Sequence, residues 1–251
     1  MIGMKLSVIS DIHSDLISLQ EVLRETEKQK CDKILCLGDI VGFSPHFEGN
    51  LDGRDADACV RMVKNHCDYA VCGNHDLYAI KKLPSYHAQL AMPENWYELD
   101  MQDREKISKS KLWLYEDEIE DPLSESSFEY LNQLPEQIII RAGDLNILAA
   151  HFIEPDITGT SRRSPAGRKD FFLHLKLLKK MNCMVGLAGH AHLEGFARIS
   201  RRSYLMNYYR KSRILNKRQV IVGPPVTRNS GSRGFIIMDT FSREFEAISL
   251  K

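Results

Sequence analysis

An α/β fold built on a parallel sheet is what this chain predicts, and two observations predict it. Between residues 5 and 76, short apolar runs alternate with stretches of helical period in the order β-α-β-α-β. The natural outcome of such a series is a parallel sheet with right-handed crossovers. Fragments rich in Asp, Asn and His close several of these runs, and α/β sheets carry their chemistry outside the carboxyl ends of the strands.

Residues 5–10 form an apolar run that ends at Asp11, the pattern of a buried parallel strand. Residues 16–30 set Leu16, Leu19, Val22 and Leu23 at helical spacing against a charged opposite face. Residues 33–37 repeat the strand pattern and stop at Gly38-Asp39. Residues 55–65 predict a second helix, with Ala58, Met62 and Val63 apolar, and residues 68–72 a short strand ending at Gly73-Asn74-His75-Asp76. Residues 77–135 carry no strand-like run. They hold the carboxylates Glu116, Asp117, Glu118, Glu120 and Asp121 and several aromatics, so helices and loops flanking the sheet are expected, the last helix at 127–134 before Pro135. Residues 137–141 and 145–150 surround Gly143-Asp144, a hairpin signal, and the second arm ends at His151. Residues 171–182 are helical. Residues 183–188 form a strand ending at Gly189-His190-Ala191-His192, and 219–222, 235–238 and 245–250 complete a β-rich end. With no internal repeat, residues 1–251 read as one domain with a flanking segment at about 77–135.

Apolar residues make up 43% of the 251 and charged residues 27%, a globular composition able to bury a sizeable core. No apolar stretch reaches membrane-span length, and the first ten residues lack a leader pattern. The six cysteines show no zinc-type pairing and sit mostly in apolar runs, so free thiols and a cytoplasmic location are expected. Charge is uneven. Residues 1–150 hold 15 Lys/Arg against 27 Asp/Glu, and residues 151–251 hold 19 against 7. Either the second part carries an anion-binding face or the two parts neutralise one another. The basic excess peaks at residues 198–218, where Tyr204, Tyr208 and Tyr209 interleave with arginines. This run suits single-stranded nucleic acid, a solvated hairpin, or an oligomer contact such as a homodimer.

Five fragments carry the chemistry: Asp11-Ile12-His13, Gly38-Asp39, Gly73-Asn74-His75-Asp76, His151 and Gly189-His190-Ala191-His192. Asp, Asn and His suit Mn, Fe, Zn or Ni. An isolated aspartate at such a place is more often a helix cap, but here each fragment falls at a strand end. Two acids, an amide and four or five histidines are enough to surround two ions with one shared carboxylate. Two metals roughly 3.5–4 Å apart can bridge a hydroxide and stabilise both attacking and leaving oxygens. Arg162 and Arg163, in the loop after His151, are placed to grip phosphate. His46, His66, His87 and His174 lie outside the fragments and read as surface or structural residues.

The five fragments resemble the signature blocks of calcineurin-like metallophosphoesterases, from residue 4 to about 192. Residues 38–45 are particularly similar to the bacterial and archaeal branch of small phosphoesterases and diadenosine-tetraphosphatase-like enzymes. The resemblance implies a four-layer α/β/β/α sandwich of two mixed sheets flanked by helices. It implies a hydrolase of phosphomonoesters or phosphodiesters that uses two divalent transition-metal ions, Mn first, with Fe, Zn or Ni as alternatives. By position, Asp11, His13 and His192 would hold one ion, Asn74, His151 and His190 the other, and Asp39 both. His75 would sit beside the scissile phosphate, and Asp76 would orient a neighbouring histidine or the loop. Ser14-Asp15 and Phe152 depart from the family pattern, predicting extra negative charge near the metals and a narrowed cleft. Residues 40–45 lack the acid-arginine-glycine segment of the protein phosphatase branch, which weighs against a phosphoprotein substrate. A nuclease using the basic run 198–218 and a non-catalytic scaffold remain as the other readings.

Overall fold

In a computed structural model describing residues 3–48, 52–228, 231 and 233–250, the alternation of the first third becomes a parallel sheet. Strand β1 (Lys5–Ile9) leads to α1 (Leu16–Lys28) and β2 (Lys33–Cys36). Then α2 (Pro45–Glu48), α3 (Ala56–His66) and β3 (Tyr69–Ala70) follow. The flanking segment holds α4 (Asn74–Ala79), α5 (Met101–Ser108) and α6 (Glu125–Gln133), with short 3-10 turns between. The rest comprises β4 (Gln137–Ala142), β5 (Leu145–Ala150), α7 (Phe172–Lys180), β6 (Val185–Ala188), β7 (Phe196–Ser200), β8 (Tyr204–Asn207), β9 (Lys211–Arg213), β10 (Gln219–Val222), β11 (Gly234–Asp239) and β12 (Glu244–Ser249).

These strands make two mixed sheets, β3-β2-β1-β11-β12-β9 and β4-β5-β6-β10-β7-β8. Pairing is parallel among β1, β2 and β3 and among β5, β6 and β10, and antiparallel elsewhere. Between the sheets lies a core of Leu6, Val8, Leu35, Ile147, Val185, Leu187, Ile221 and Phe245, drawn from both. The outer face of the first sheet buries Ile9 and Phe235 against Leu19, Val22, Val60, Val63 and Leu131 of α1, α3 and α6. The second sheet buries Leu148 and Val220 against Leu178 of α7. The four layers implied by the resemblance are therefore present, and central strands are apolar on both faces because both are covered.

Helix starts follow local capping. Asp15 accepts a hydrogen bond from the Ser18 amide, Asp55 from that of Ala58 and Ser124 from that of Ser127, the role expected of these side chains at an N-cap. The strand predicted at 68–72 shortens to two residues because the Cys72 amide turns away to the Pro135 carbonyl. The basic run, read as hairpin or contact surface, is the β7–β8 hairpin followed by β9, each of β8 and β9 lying at a sheet edge. Arginines of the basic part reach back to acids of the first part: Arg228 to Asp15, Arg233 to Glu21 and Arg243 to Asp144. Those pairs favour mutual neutralisation over a dedicated anion face. All six cysteines are free. Among the described residues, no helix is long and apolar enough to cross a membrane.

Candidate metal centre

The parallel strands deliver their closing residues to one place. Asp11 and His13 leave β1, Asp39 leaves β2, Asn74 opens α4 after β3, His151 leaves β5, and His190 and His192 leave β6. The chain turns sharply there, and the site residues themselves take the strained conformation. Asp11 (φ 56°), His13 (49°), Asp39 (50°), His190 (64°) and His192 (45°) are all left-handed. Each such residue costs on the order of 1–3 kcal/mol and persists only where its surroundings hold it; Asp and His tolerate it better than most. Gly73 and Gly189 do not supply the turns, since neither has a left-handed φ. They permit close approach: a Cβ on Gly73 would stand 2.1 Å from Asp39 Oδ1, and one on Gly189 2.6 Å from Asp11 Oδ2.

Among the described residues three groups could hold a metal ion, the ligand atoms within each lying within 4.8 Å of one another: Asp11 with His13 and His192, Asp39 with His151 and His190, and His13 with Asp39 and His75. Asp39 Oδ2 lies 3.1 Å from His151 Nε2 and 3.8 Å from His13 Nε2, facing both sides of the cluster. The other oxygen, Oδ1, accepts the His75 amide at 2.9 Å. Backbone carbonyls set the imidazoles. His13 Nδ1 donates to Gly42 O (3.0 Å) and His151 Nδ1 to Leu37 O (2.8 Å), which leaves both Nε2 lone pairs pointing inward. There His13 Nε2 meets His192 Nε2 at 3.1 Å, and His151 Nε2 meets His190 Nδ1 at 3.2 Å. Facing nitrogens at that spacing need a proton or a cation between them. Asn74 adds a further donor. Its Oδ1 is buried with no hydrogen-bond partner among the described residues, and a Cβ placed on Gly159 would stand 2.8 Å from it and 2.5 Å from His190 Nδ1. Burial raises the Asp11 carboxyl, but the hydrogen bond and charge of His192 and the charge of His151 outweigh it and hold it well below the usual range. Burial likewise opposes the His151 cation, yet Asp39 beside it pushes the pKa up to about 9. The donor set, all nitrogen and oxygen, fits first-row divalent ions.

Comparison with known proteins agrees. A model of the calcineurin-like phosphoesterase family matches residues 4–214. The chain belongs to that family. Its members are generally phosphoester hydrolases that use divalent metal ions. Among solved structures, a metallophosphoesterase from Sphaerobacter thermophilus superposes with a TM-score of 0.65 at 20% identity, covering 99% of this chain and 89% of that one. A hypothetical protein from Pyrococcus horikoshii gives 0.58 at 14% identity, covering 100% and 88%. These share the fold. An uncharacterized protein of Methanocaldococcus jannaschii is 37% identical over 82 residues, 33% of this chain and 30% of that protein's length.

The site opens into a cavity of about 490 Å³ lined by His13, Asp39, Asn74, His75, His190 and His192. Residues 113–118, Ser44, His46 and Arg162 make the wall. His75 Nδ1 lies 2.5 Å from Glu118 Oε2, and the ring stands edge-on to His13 and Tyr115. Asp76 narrows its two expected partners, a neighbouring histidine or the loop, to the loop, since it neither lines the cavity nor hydrogen-bonds a histidine. Its carboxylate accepts the amides of Ile40 (2.8 Å), Val41 (3.1 Å) and Gly73 (2.9 Å), tying the second and third blocks together. Burial and the charge of Asp39 push it up to about 7.

Three expectations are corrected. Arg162 lines the cavity with its guanidinium over the Trp113 ring, but Arg163 is spent on the Glu154 and Asp170 carbonyls at 2.7 and 2.9 Å and is not placed for substrate. Asp15 adds no free charge near the centre, because Arg228 grips both its oxygens and the Ser18 amide donates to it as the helix N-cap. Phe152 does not narrow the cleft. It is buried in the core behind His190, ring centroids 4.4 Å apart. The structure adds Tyr115 and Glu118, whose aromatic and carboxylate types stand out in the sequence without any signal tying them to the site.

Proposed function

We propose that the chain hydrolyses phosphomonoesters or phosphodiesters at a dinuclear metal centre. Asp11, His13 and His192 would hold one ion, Asn74, His151 and His190 the other, and Asp39 would serve both. The position of Asp39 Oδ2 between His151 Nε2 and His13 Nε2 carries this reading, because one oxygen facing two imidazole groups is what a bridging carboxylate requires. When bound, two such ions supply a hydroxide nucleophile at neutral pH and offset charge on the phosphoryl oxygens. The protein's part is positioning. Carbonyls fix the tautomers of His13 and His151, and left-handed strand ends hold the donors rigidly. His75, lining the cavity with Nδ1 engaged by Glu118, would as an imidazolium donate a hydrogen bond to phosphate or a proton to the leaving oxygen. Arg162 at the rim supplies a cation for the substrate's phosphate. Manganese is the first candidate ion, with iron, zinc and nickel compatible with the same donors.

The test pairs metal content with turnover. Wild type reconstituted with Mn is expected to hold two ions and to hydrolyse p-nitrophenyl phosphate or its bis-ester, while Asp39→Asn and His151→Ala lose turnover. Full activity in both variants would overturn the ligand assignment. Wild type that binds no transition metal would instead support the scaffold reading.

A further inference from the structure

Residues 111–119 cross the mouth of the cavity as a strap pinned at both ends. At one end Leu112 pairs with Ser161, the Trp113 amide donating to Thr160 O (3.1 Å) and the Arg162 amide to Lys111 O (2.9 Å). At the other, Ile119 pairs with Phe43 through a 2.9 Å bond to its carbonyl. In mid-strap Tyr115 takes a left-handed φ of 60°. Its ring stacks on Tyr78 at 4.3 Å and stands 5.0 Å from that of His75. Its hydroxyl lies 3.1 Å from Asn74 Nδ2, which donates to it.

A carboxamide end has two nearly isosteric orientations that exchange oxygen and nitrogen, and only its hydrogen-bond partners choose between them. In one, Asn74 aims an oxygen lone pair at the cluster; in the other it aims an N–H, which cannot bind a cation. The Tyr115 hydroxyl accepts a hydrogen bond from Nδ2, so Oδ1 is the atom left buried beside His190 with no hydrogen-bond partner among the described residues. No signature fragment supplies this contact, since Tyr115 comes from the strap.

We propose that Tyr115 is a positioning residue for Asn74: by receiving Nδ2–H it commits the amide oxygen to the second ion and raises the affinity of that ion alone. The inference rests on the ligand set proposed above. Partners of this kind, one bond removed from a metal, typically alter metal affinity by about 10–100-fold.

Tyr115→Phe removes the hydroxyl and keeps the stack on Tyr78. Manganese titrations by calorimetry, with electron paramagnetic resonance of each stoichiometry, read the effect directly. In Tyr115→Phe the weaker Mn dissociation constant is expected to rise by about 10–100-fold with the tighter one unchanged. At two equivalents of Mn, a single-ion spectrum should replace the exchange-coupled one, and excess Mn should restore it. The metal-free variant should melt with wild type. Two wild-type-like dissociation constants in Tyr115→Phe would overturn the role of Tyr115 alone. A wild type that itself takes up only one ion, with no coupled spectrum, would overturn the underlying ligand set and this inference with it.

Discussion

Glu118 Oε2 sits 2.5 Å from Nδ1 of His75, and the Glu118 side chain is only 4% exposed. A carboxylate in that position keeps a proton on His75 Nδ1. It also stabilises the imidazolium from which a proton would pass to the leaving oxygen. The contact joins the acidic strap to the third signature fragment.

Glu118→Gln keeps the size and loses the charge. The expected outcome is a kcat lower by about 10–100-fold with little change in KM. Because proton donation matters most for poor leaving groups, the loss should be greater on phenyl phosphate than on p-nitrophenyl phosphate. Equal losses on both esters would remove proton transfer from the role of the pair.

Neighbouring arginines should separate cleanly. Arg162→Ala is expected to raise KM for a small phosphate ester, since this side chain lines the cavity. Arg163→Ala is expected to leave KM alone and destabilise the 154–170 loop, since it removes two bonds to carbonyls there. Steady-state kinetics beside thermal melts decide it. A KM effect in Arg163→Ala would restore that residue to the substrate.

Arg228→Ala should destabilise the fold without touching the ligands. Asp15 is fully buried, and Arg228 is the cation paired with it. Removing one partner of a buried pair costs about 3–5 kcal/mol, because the remaining charge stays buried. The partly exposed arginine puts the expected loss at the lower end. Asp15→Asn in the same background should recover part of it in urea unfolding. Simple additivity of the two changes would show that the charges are not coupled.

The site was legible because its donors sit at strand ends, within fragments of one to four residues. The helices at α1 and α3 were legible from one-sided apolar spacing and their aspartate caps. Other features depend on distant partners that no local pattern reveals. Asp15 meets Arg228 across 213 positions, and His75 meets Glu118 across 43. Run by itself, Glu116-Asp117-Glu118 looks like a solvated acidic face, and only folding turns one of its members inward. Strands β7, β8 and β9 carry no strand reading in the sequence beyond the hairpin alternative for the basic run, and at β8 the reason is local. At a sheet edge, Tyr204 and Met206 stay exposed while Leu205 is only half-buried, so the apolar alternation that marks a strand is weak. Phe152 was misjudged because its neighbour in sequence lies in the site while its ring faces the core.

His174 on α7 gives a pH test away from the metal donors. It is fully buried, its Nδ1 accepts the Glu154 amide at 3.2 Å, and its Nε2 has no partner among the described residues. Burial pushes its pKa down from 6.5 to about 4. Above the unfolded value both states are neutral and the residue contributes no pH dependence. Between 6.5 and about 4 the unfolded chain takes up a proton that the folded chain refuses, so stability falls as pH falls. Integrated over that window the loss is about 3 kcal/mol, and below it the curve flattens. Urea unfolding of wild type and His174→Gln from pH 7.5 to 4 isolates the contribution. The two stability curves should converge by about 3 kcal/mol toward acid, or cross if the variant starts close to wild type. A gap that stays constant with pH would mean that His174 does not titrate between the two states.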